Sequence, residues 1–140
     1  SRSAAKNIIP NETEAVKWVE KSVPEFAGKL MGMTLNVPVQ FGSLLDLNCI
    51  FEKDVSVNAV NSVMEKAANK HTHLIKIVED PIVSSDVVGK PHSVVFDKRG
   101  TLLTNQAILK TLTWYDNGYN HAHRILDVIL AYEKQIGARA

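Results

Sequence analysis

The stretch Ser93-Val94-Val95-Phe96-Asp97-Lys98-Arg99-Gly100-Thr101-Leu102-Leu103-Thr104, followed by Ile108-Leu109-Lys110-Thr111-Leu112-Thr113-Trp114, decides the fold class. It reads as three strands, Ser93–Asp97, Thr101–Thr104 and Ile108–Trp114. Asp97-Lys98-Arg99-Gly100 reads as a short hairpin connection, with Gly100 suited to a positive φ. Strands joined by turns this short pair antiparallel.

Upstream, Leu74–Val78 reads as a further strand. Before it, Ser56 is placed to cap a helix whose inner face is Val57, Val60, Met64, Ala67 and Ala68. Leu45, Leu47, Cys49 and Phe51 alternate with Asp46 and Asn48, a strand entered through Gly42-Ser43. From Lys29, Met31, Met33, Leu35 and Val37 alternate with Gly32, Thr34 and Asn36, again at period two. Near the start, Asn11-Glu12-Thr13-Glu14 reads as a capping box with Asn11 as cap. Val16, Val19 and Val23 mark one face of the short helix after it, which Pro24 ends. Trp18 and the Met31/Met33 pair read as core or interface packing. Downstream, a helix is expected from about His121 to Ile136. Its buried stripe would be Ala122, Ile125, Ile129, Tyr132 and Ile136, and Gly137 would stop it. This order is α+β, not βαβ alternation. It predicts a mostly antiparallel sheet with helices packed on one face, in one domain spanning residues 1–140.

The chain has 140 residues, 45% of them hydrophobic and 22% charged, which suits a globular domain with a core of its own. The net charge is +1, and no basic cluster exceeds Lys98-Arg99, so composition points to no nucleic-acid partner. No apolar run approaches the roughly 20 residues that span a bilayer, and no membrane partner is expected. Cys49 is the sole cysteine, which excludes an internal disulfide. It also favours a reducing compartment, so a cytoplasmic location is the default expectation. There is no Gly-x-Gly-x-x-Gly run, so no dinucleotide-binding half is expected within these residues.

Two runs at opposite ends carry a resemblance: Ser1-Arg2-Ser3-Ala4-Ala5-Lys6-Asn7-Ile8-Ile9-Pro10 and Trp114-Tyr115-Asp116-Asn117. Between them, in order, stand Gly28-Lys29-Leu30 with Gly32-Met33, Val37-Pro38, Ser43 to Leu47, Val83-Ser84-Ser85-Asp86, and His92-Ser93 to Asp97. An Arg124/Asp127 pairing follows in the last helix. Together these resemble the catalytic domain of phosphorylating glyceraldehyde-3-phosphate dehydrogenases. The resemblance implies oxidation of an aldehyde through a cysteine thioester, hydride transfer to NAD and release of the acyl group by phosphate. In that family the nucleophilic cysteine and general-base histidine lie upstream of the run that opens this chain. The expectation is therefore a domain with no catalytic residue of its own, relying on NAD held by an upstream domain, with no turnover by this chain alone. Cys49, mid-strand on an apolar face, reads as a protonated and inert thiol.

The resemblance also assigns binding positions. Arg2 matches an arginine of the loop before Asn-Ile-Ile-Pro, with a plain loop or subunit-contact role as the alternative. Thr13 matches a threonine that receives inorganic phosphate at a helix start. Glu14 stands where the family has glycine, and a carboxylate there repels phosphate. Asn36 replaces the arginine that holds the substrate phosphate, keeping a donor but no charge. Asn117 matches the asparagine that pairs with the nicotinamide carboxamide, and helix capping is its alternative. His121 stands where a tyrosine lies beside the nicotinamide. His71-Thr72-His73 would put two imidazoles on one side of a strand. His121-Ala122-His123 diverges on a helix, and no metal is expected at either pair.

Three functions stay open at this point. The chain could be the catalytic half of a glycolytic dehydrogenase acting on glyceraldehyde 3-phosphate and inorganic phosphate. It could be a divergent, inactive or non-phosphorylating relative serving assembly or binding, or a relative of erythrose-4-phosphate dehydrogenase. The family's tetramers make a homo-oligomer the expected state.

Overall fold

The computed structural model describes residues 2–104 and 108–137, so Ser1 of the opening run lies outside the described residues. The chain gathers into two compact units, Ser1–Gln40 and Phe41–Ala140. Among the described residues the fold is α+β, with three α-helices, a two-stranded sheet and a four-stranded, mostly antiparallel sheet.

In the first unit β1 (Ile9–Asn11) pairs antiparallel with β2 (Thr34–Asn36), with Ile9 opposite Asn36 and Asn11 opposite Thr34. Helix α1 runs Ala15–Ser22. The capping box fails: Asn11 is consumed by the ribbon, and the Thr13 hydroxyl instead accepts the Ala15 amide at 3.1 Å. Glu14 occupies the cap position with no side-chain bond to the helix amides. The Val23 amide closes the last turn on the Val19 carbonyl, and Pro24 opens a separate 3₁₀ turn. The strand expected from Lys29 shrinks to three residues. Met31 is 97% exposed and Trp18 64%, so neither is core within this chain. Alternation pointed to a strand here, of which only Thr34–Asn36 forms, and it could not say that the face stays uncovered.

The second unit holds β3 (Ser43–Ile50), α2 (Val57–Lys70), β4 (Ile75–Val78), β5 (Val94–Thr104), β6 (Ile108–Tyr115) and α3 (Asn117–Gly137). Its sheet runs β3-β6-β5-β4, antiparallel except for the parallel β4–β5 pair. Ser56 caps α2 as expected, accepting the Ala59 amide at 3.1 Å, and the expected inner face is half-buried against β4 and β5. Thr101 donates its hydroxyl to Asn61 Oδ1 at 2.7 Å. Lys98 Nζ donates to Glu65 and Glu79, each at 2.6 Å, joining α2 and the end of β4 to β5. Among the described residues the tightest core lies along β5 and β6, at Val95, Phe96 and Leu109, with Val87 beside them.

The expected hairpin at Asp97–Gly100 is not a turn. β5 runs through it as one strand, and the register with β6 shifts between Asp97 and Leu102, a bulge. Buried Asp97 organises the bulge: Oδ1 accepts the Arg99 amide at 3.0 Å and Oδ2 accepts Trp114 Nε1–H at 3.3 Å. Gly100 has no positive φ. Glycine is required because a Cβ would come 2.6 Å from Leu112 Cβ. Polar residues followed by glycine serve a bulge as well as a turn, which is why the sequence misleads here.

Two further expectations change. His71 caps the C-terminus of α2, its amide bonded to the Ala67 carbonyl at 2.9 Å, so His71 and His73 lie in a turn and not on a strand. Helix α3 begins four residues earlier than expected, and its apolar stripe is open, with Ile129 55% exposed. No helix among the described residues is long and apolar enough to cross a membrane.

Candidate functional site

The expected coenzyme-facing positions sit where β6 hands over to α3. Asp116 stops the strand because its carboxylate takes over helix amides: Oδ1 accepts from Tyr119 N–H at 3.0 Å, while its carbonyl accepts the Asn120 amide at 3.1 Å. Asn117 is therefore the first helical residue and not the cap. Its carboxamide is exposed and free of that duty. His121, one turn on, is also exposed, and residues four apart share a helix face. Asn120 turns inward and is buried, and the Tyr119 and His123 rings meet tilted at 49° with centroids 4.9 Å apart.

Asp116 reaches further than capping requires. Its second oxygen, Oδ2, accepts the amide of Gly89 at 2.9 Å, in the loop before β5. Bonds from Tyr119, Gly89 and Gly118 amides hold the Asp116 carboxyl below the usual carboxylate range. The sequence reading missed this residue. The available signal was an aspartate directly before the helix-starting Asn117-Gly118, the composition of an N-cap. Along α3, Arg124 Nη1 donates to Ser93 Oγ at 3.0 Å and to the His73 carbonyl at 3.4 Å. Its Nε lies 2.9 Å from Asp127 Oδ2, a charge contact without an aligned hydrogen bond. Beside it, His92 is pushed below the ordinary imidazole range, first by burial and then by Lys76, Arg124 and Lys90.

The expected phosphate positions lie in the first unit. Thr13 stands at the α1 start; its oxygen accepts from Ala15, leaving the hydroxyl proton free to donate. Glu14 Oε1 accepts from Lys17 Nζ at 2.8 Å, an exposed pair that partly offsets its charge. Thr13 lies beside Gly32, whereas Asn36 stands opposite Ile9 at the far end of the ribbon. Four residue steps, at most about 13 Å of extended chain, separate Gly32 from Asn36, with the last three residues in β2. Arg2 is exposed ahead of the 3₁₀ turn Ala4–Lys6. Thr13 and Glu14 are thus neighbours, while the ribbon holds Asn36 apart from them.

Cys49 is the penultimate residue of β3, nearer the strand end than the mid-strand place expected, opposite Leu109, and burial pushes its thiol up, away from a reactive thiolate. No group of three or more His, Cys, Asp or Glu side chains able to hold a metal ion occurs among the described residues.

Comparison with known proteins adds the following. Residues 1–117 match the family model described as glyceraldehyde 3-phosphate dehydrogenase, C-terminal domain. The chain is 38% identical over 135 residues to glyceraldehyde-3-phosphate dehydrogenase 1 of Trichoderma koningii, covering 96% of this chain and 40% of that protein. It is 41% identical over 131 residues to glyceraldehyde-3-phosphate dehydrogenase of Mycobacterium leprae, covering 92% and 38%. The testis-specific enzyme of Mus musculus is 38% identical over 129 residues, covering 91% and 29%. The chain thus spans about two fifths of the length of the first two relatives.

Proposed function

This chain belongs to the glyceraldehyde 3-phosphate dehydrogenase family, as its C-terminal domain, and on that premise we propose that it supplies the nicotinamide-facing and phosphate-facing side of an NAD-dependent, phosphorylating aldehyde oxidation. The nucleophilic cysteine and general-base histidine come from sequence outside these residues, and this chain alone does not turn over. The substrates are glyceraldehyde 3-phosphate and inorganic phosphate, and the working state is a cytoplasmic homo-oligomer.

The observation that carries this reading is the exposed carboxamide of Asn117, in the first turn of α3 with His121 on the same face. The donor set fits the group: an amide offers both a donor and an acceptor to another amide, so Asn117 can fix the rotation of the nicotinamide ring. His121 offers a flat imidazole against which the ring can rest. NAD, when bound, supplies the hydride acceptor. Thr13 donates its hydroxyl to phosphate near the α1 amides, where a helix start favours anions. Asn36 orients the substrate phosphate through a neutral amide, which makes recognition weaker than a guanidinium would.

Glu14 favours a second reading, a divergent member kept for assembly or binding. A carboxylate at the α1 start opposes an incoming anion, and Lys17 offsets it only through an exposed, solvent-screened pair. One assay separates the two. NAD reduction with glyceraldehyde 3-phosphate, with and without phosphate, is measured on this chain alone and on a polypeptide that carries it behind the coenzyme-binding and nucleophile segments. The dehydrogenase reading expects activity only in the longer protein, weakened by Asn117→Ala through a raised KM for NAD. No activity in either form, with intact self-association, selects the assembly module.

A further inference from the structure

We propose that Asp116 is a positioning residue for the coenzyme: by bridging the first turn of α3 to the loop at Gly89 it holds Asn117 in register for the nicotinamide amide. The inference rests on the coenzyme reading of Asn117 given above.

The two carboxylate oxygens serve different parts of the fold. Oδ1 caps α3 through the Tyr119 amide at 3.0 Å, and Oδ2 reaches the Gly89 amide at 2.9 Å, 27 residues earlier in the chain. Capping alone needs one oxygen, and serine or threonine would supply it. The second bond is a tether. Its donor stands at φ +71°, in the left-handed region that a side chain adopts only with strain, so the loop is shaped to present this amide.

The tether matters because α3 has little else to set its direction. The apolar stripe at Ile125, Ile129, Tyr132 and Ile136 is exposed, so apolar packing of that stripe does not orient the helix, whose inward face is buried Asn120 with half-buried His123, Arg124 and Asp127. The polar ties to the rest of the unit are Asp116 to Gly89 at the start and Arg124 to Ser93 and His73 two turns on. Two points define an axis. Releasing the first lets the helix start swing about the second, and Asn117, adjacent to the released point, moves most. The ionised carboxylate accepts both amides at once, and the same bonds favour its ionised form.

The test uses the holoenzyme that the proposed function implies, with four variants read for kcat and for KM toward NAD, aldehyde and phosphate. Asn117→Ala tests the parent reading and is expected to raise the KM for NAD. Asp116→Ser keeps a cap for Tyr119 but is too short to reach Gly89 as well. It is expected to raise the NAD KM roughly five- to ten-fold, with aldehyde and phosphate KM unchanged. Asp116→Ala, losing both bonds, is at least as impaired. Asp116→Asn, with one acceptor oxygen, falls between Asp116→Ser and the parent. Amide hydrogen exchange on Asp116→Ser supplies a readout that does not depend on activity: Gly89 exchanges faster while Tyr119 stays protected. If Asp116→Ser keeps the parent NAD KM while Asn117→Ala raises it, Asp116 is only a cap and the inference is overturned. If Asn117→Ala leaves NAD KM unchanged, the coenzyme reading fails and the positioning role goes with it.

Discussion

Helices α2 and α3 carry apolar stripes of the same period in the same unit, yet only one stripe is covered. Val57, Val60, Met64, Ala67 and Ala68 of α2 lie half-buried against β4 and β5, and Asn61 and Glu65 add polar links to Thr101 and Lys98. The α3 stripe meets no comparable surface, and two polar ties anchor the helix instead. An apolar stripe at helical spacing states that a face will be covered; it does not name the cover. The amino-terminal ribbon teaches the same lesson, since Met31 and Met33 obey strand alternation while standing in solvent.

This contrast can be broken or sharpened by measurement. The largest effect is expected on the covered side. Phe96, 2% exposed in β5, is part of the floor beneath α2, and Phe96→Ala should cost about 3–5 kcal/mol in urea unfolding. Next comes Gly100→Ala, which forces a methyl against Leu112 and should cost about 1–3 kcal/mol, with the loss reduced by trimming Leu112 to Ala in the same protein. A matched pair then compares the helices directly. Val60→Ser in α2 should cost about 1–2 kcal/mol, and Ile129→Ser in α3 no more than about 0.5 kcal/mol. Equal losses would mean that α3 is covered in solution, and a dependence on protein concentration would identify the cover as a second copy.

The smallest effect is expected from pH. His92 faces Lys76, Lys90 and Arg124, and its imidazole is held below the ordinary value of 6.5. The unfolded chain accepts a proton there that the folded chain refuses. Stability is therefore complete above about pH 6.5 and declines as pH falls toward the lower folded value. Urea midpoints between roughly pH 7.5 and 5.5 should show this slope, and His92→Gln should flatten it.

What was legible in the sequence follows from which interactions are local. Ser56 announced α2, and alternation announced β3, because caps and period two are written in neighbouring residues. The β5 bulge was not legible, since the need for Gly100 comes from Leu112 on another strand. The start of α1 was misplaced because Asn11, a good cap by type, is engaged by Thr34 across the ribbon. At the α3 start, Asn117 and His121 were named through family resemblance, and helical spacing puts them on one face. Asp116 was overlooked because its second partner, Gly89, is remote in sequence. Thr13 and Asn36 were assigned to two different phosphates, and their separation was not legible, because the register that sets Asn36 opposite Ile9 and leaves Thr13 beside Gly32 is not written in neighbouring residues.

The pairing of Ser43–Ile50 with Ile108–Tyr115 has a consequence for how the chain comes to be. β3 leaves the ribosome before its neighbour: among the described residues its sheet partner is β6, made after α2, β4 and β5. Until then its backbone donors and acceptors are a naked edge, flanked by leucines, of the kind other nascent chains can capture. Loop closure over so long a span is slow, so docking of β3 is expected to be a late event in folding, and conditions that delay translation past β5 prolong the exposure.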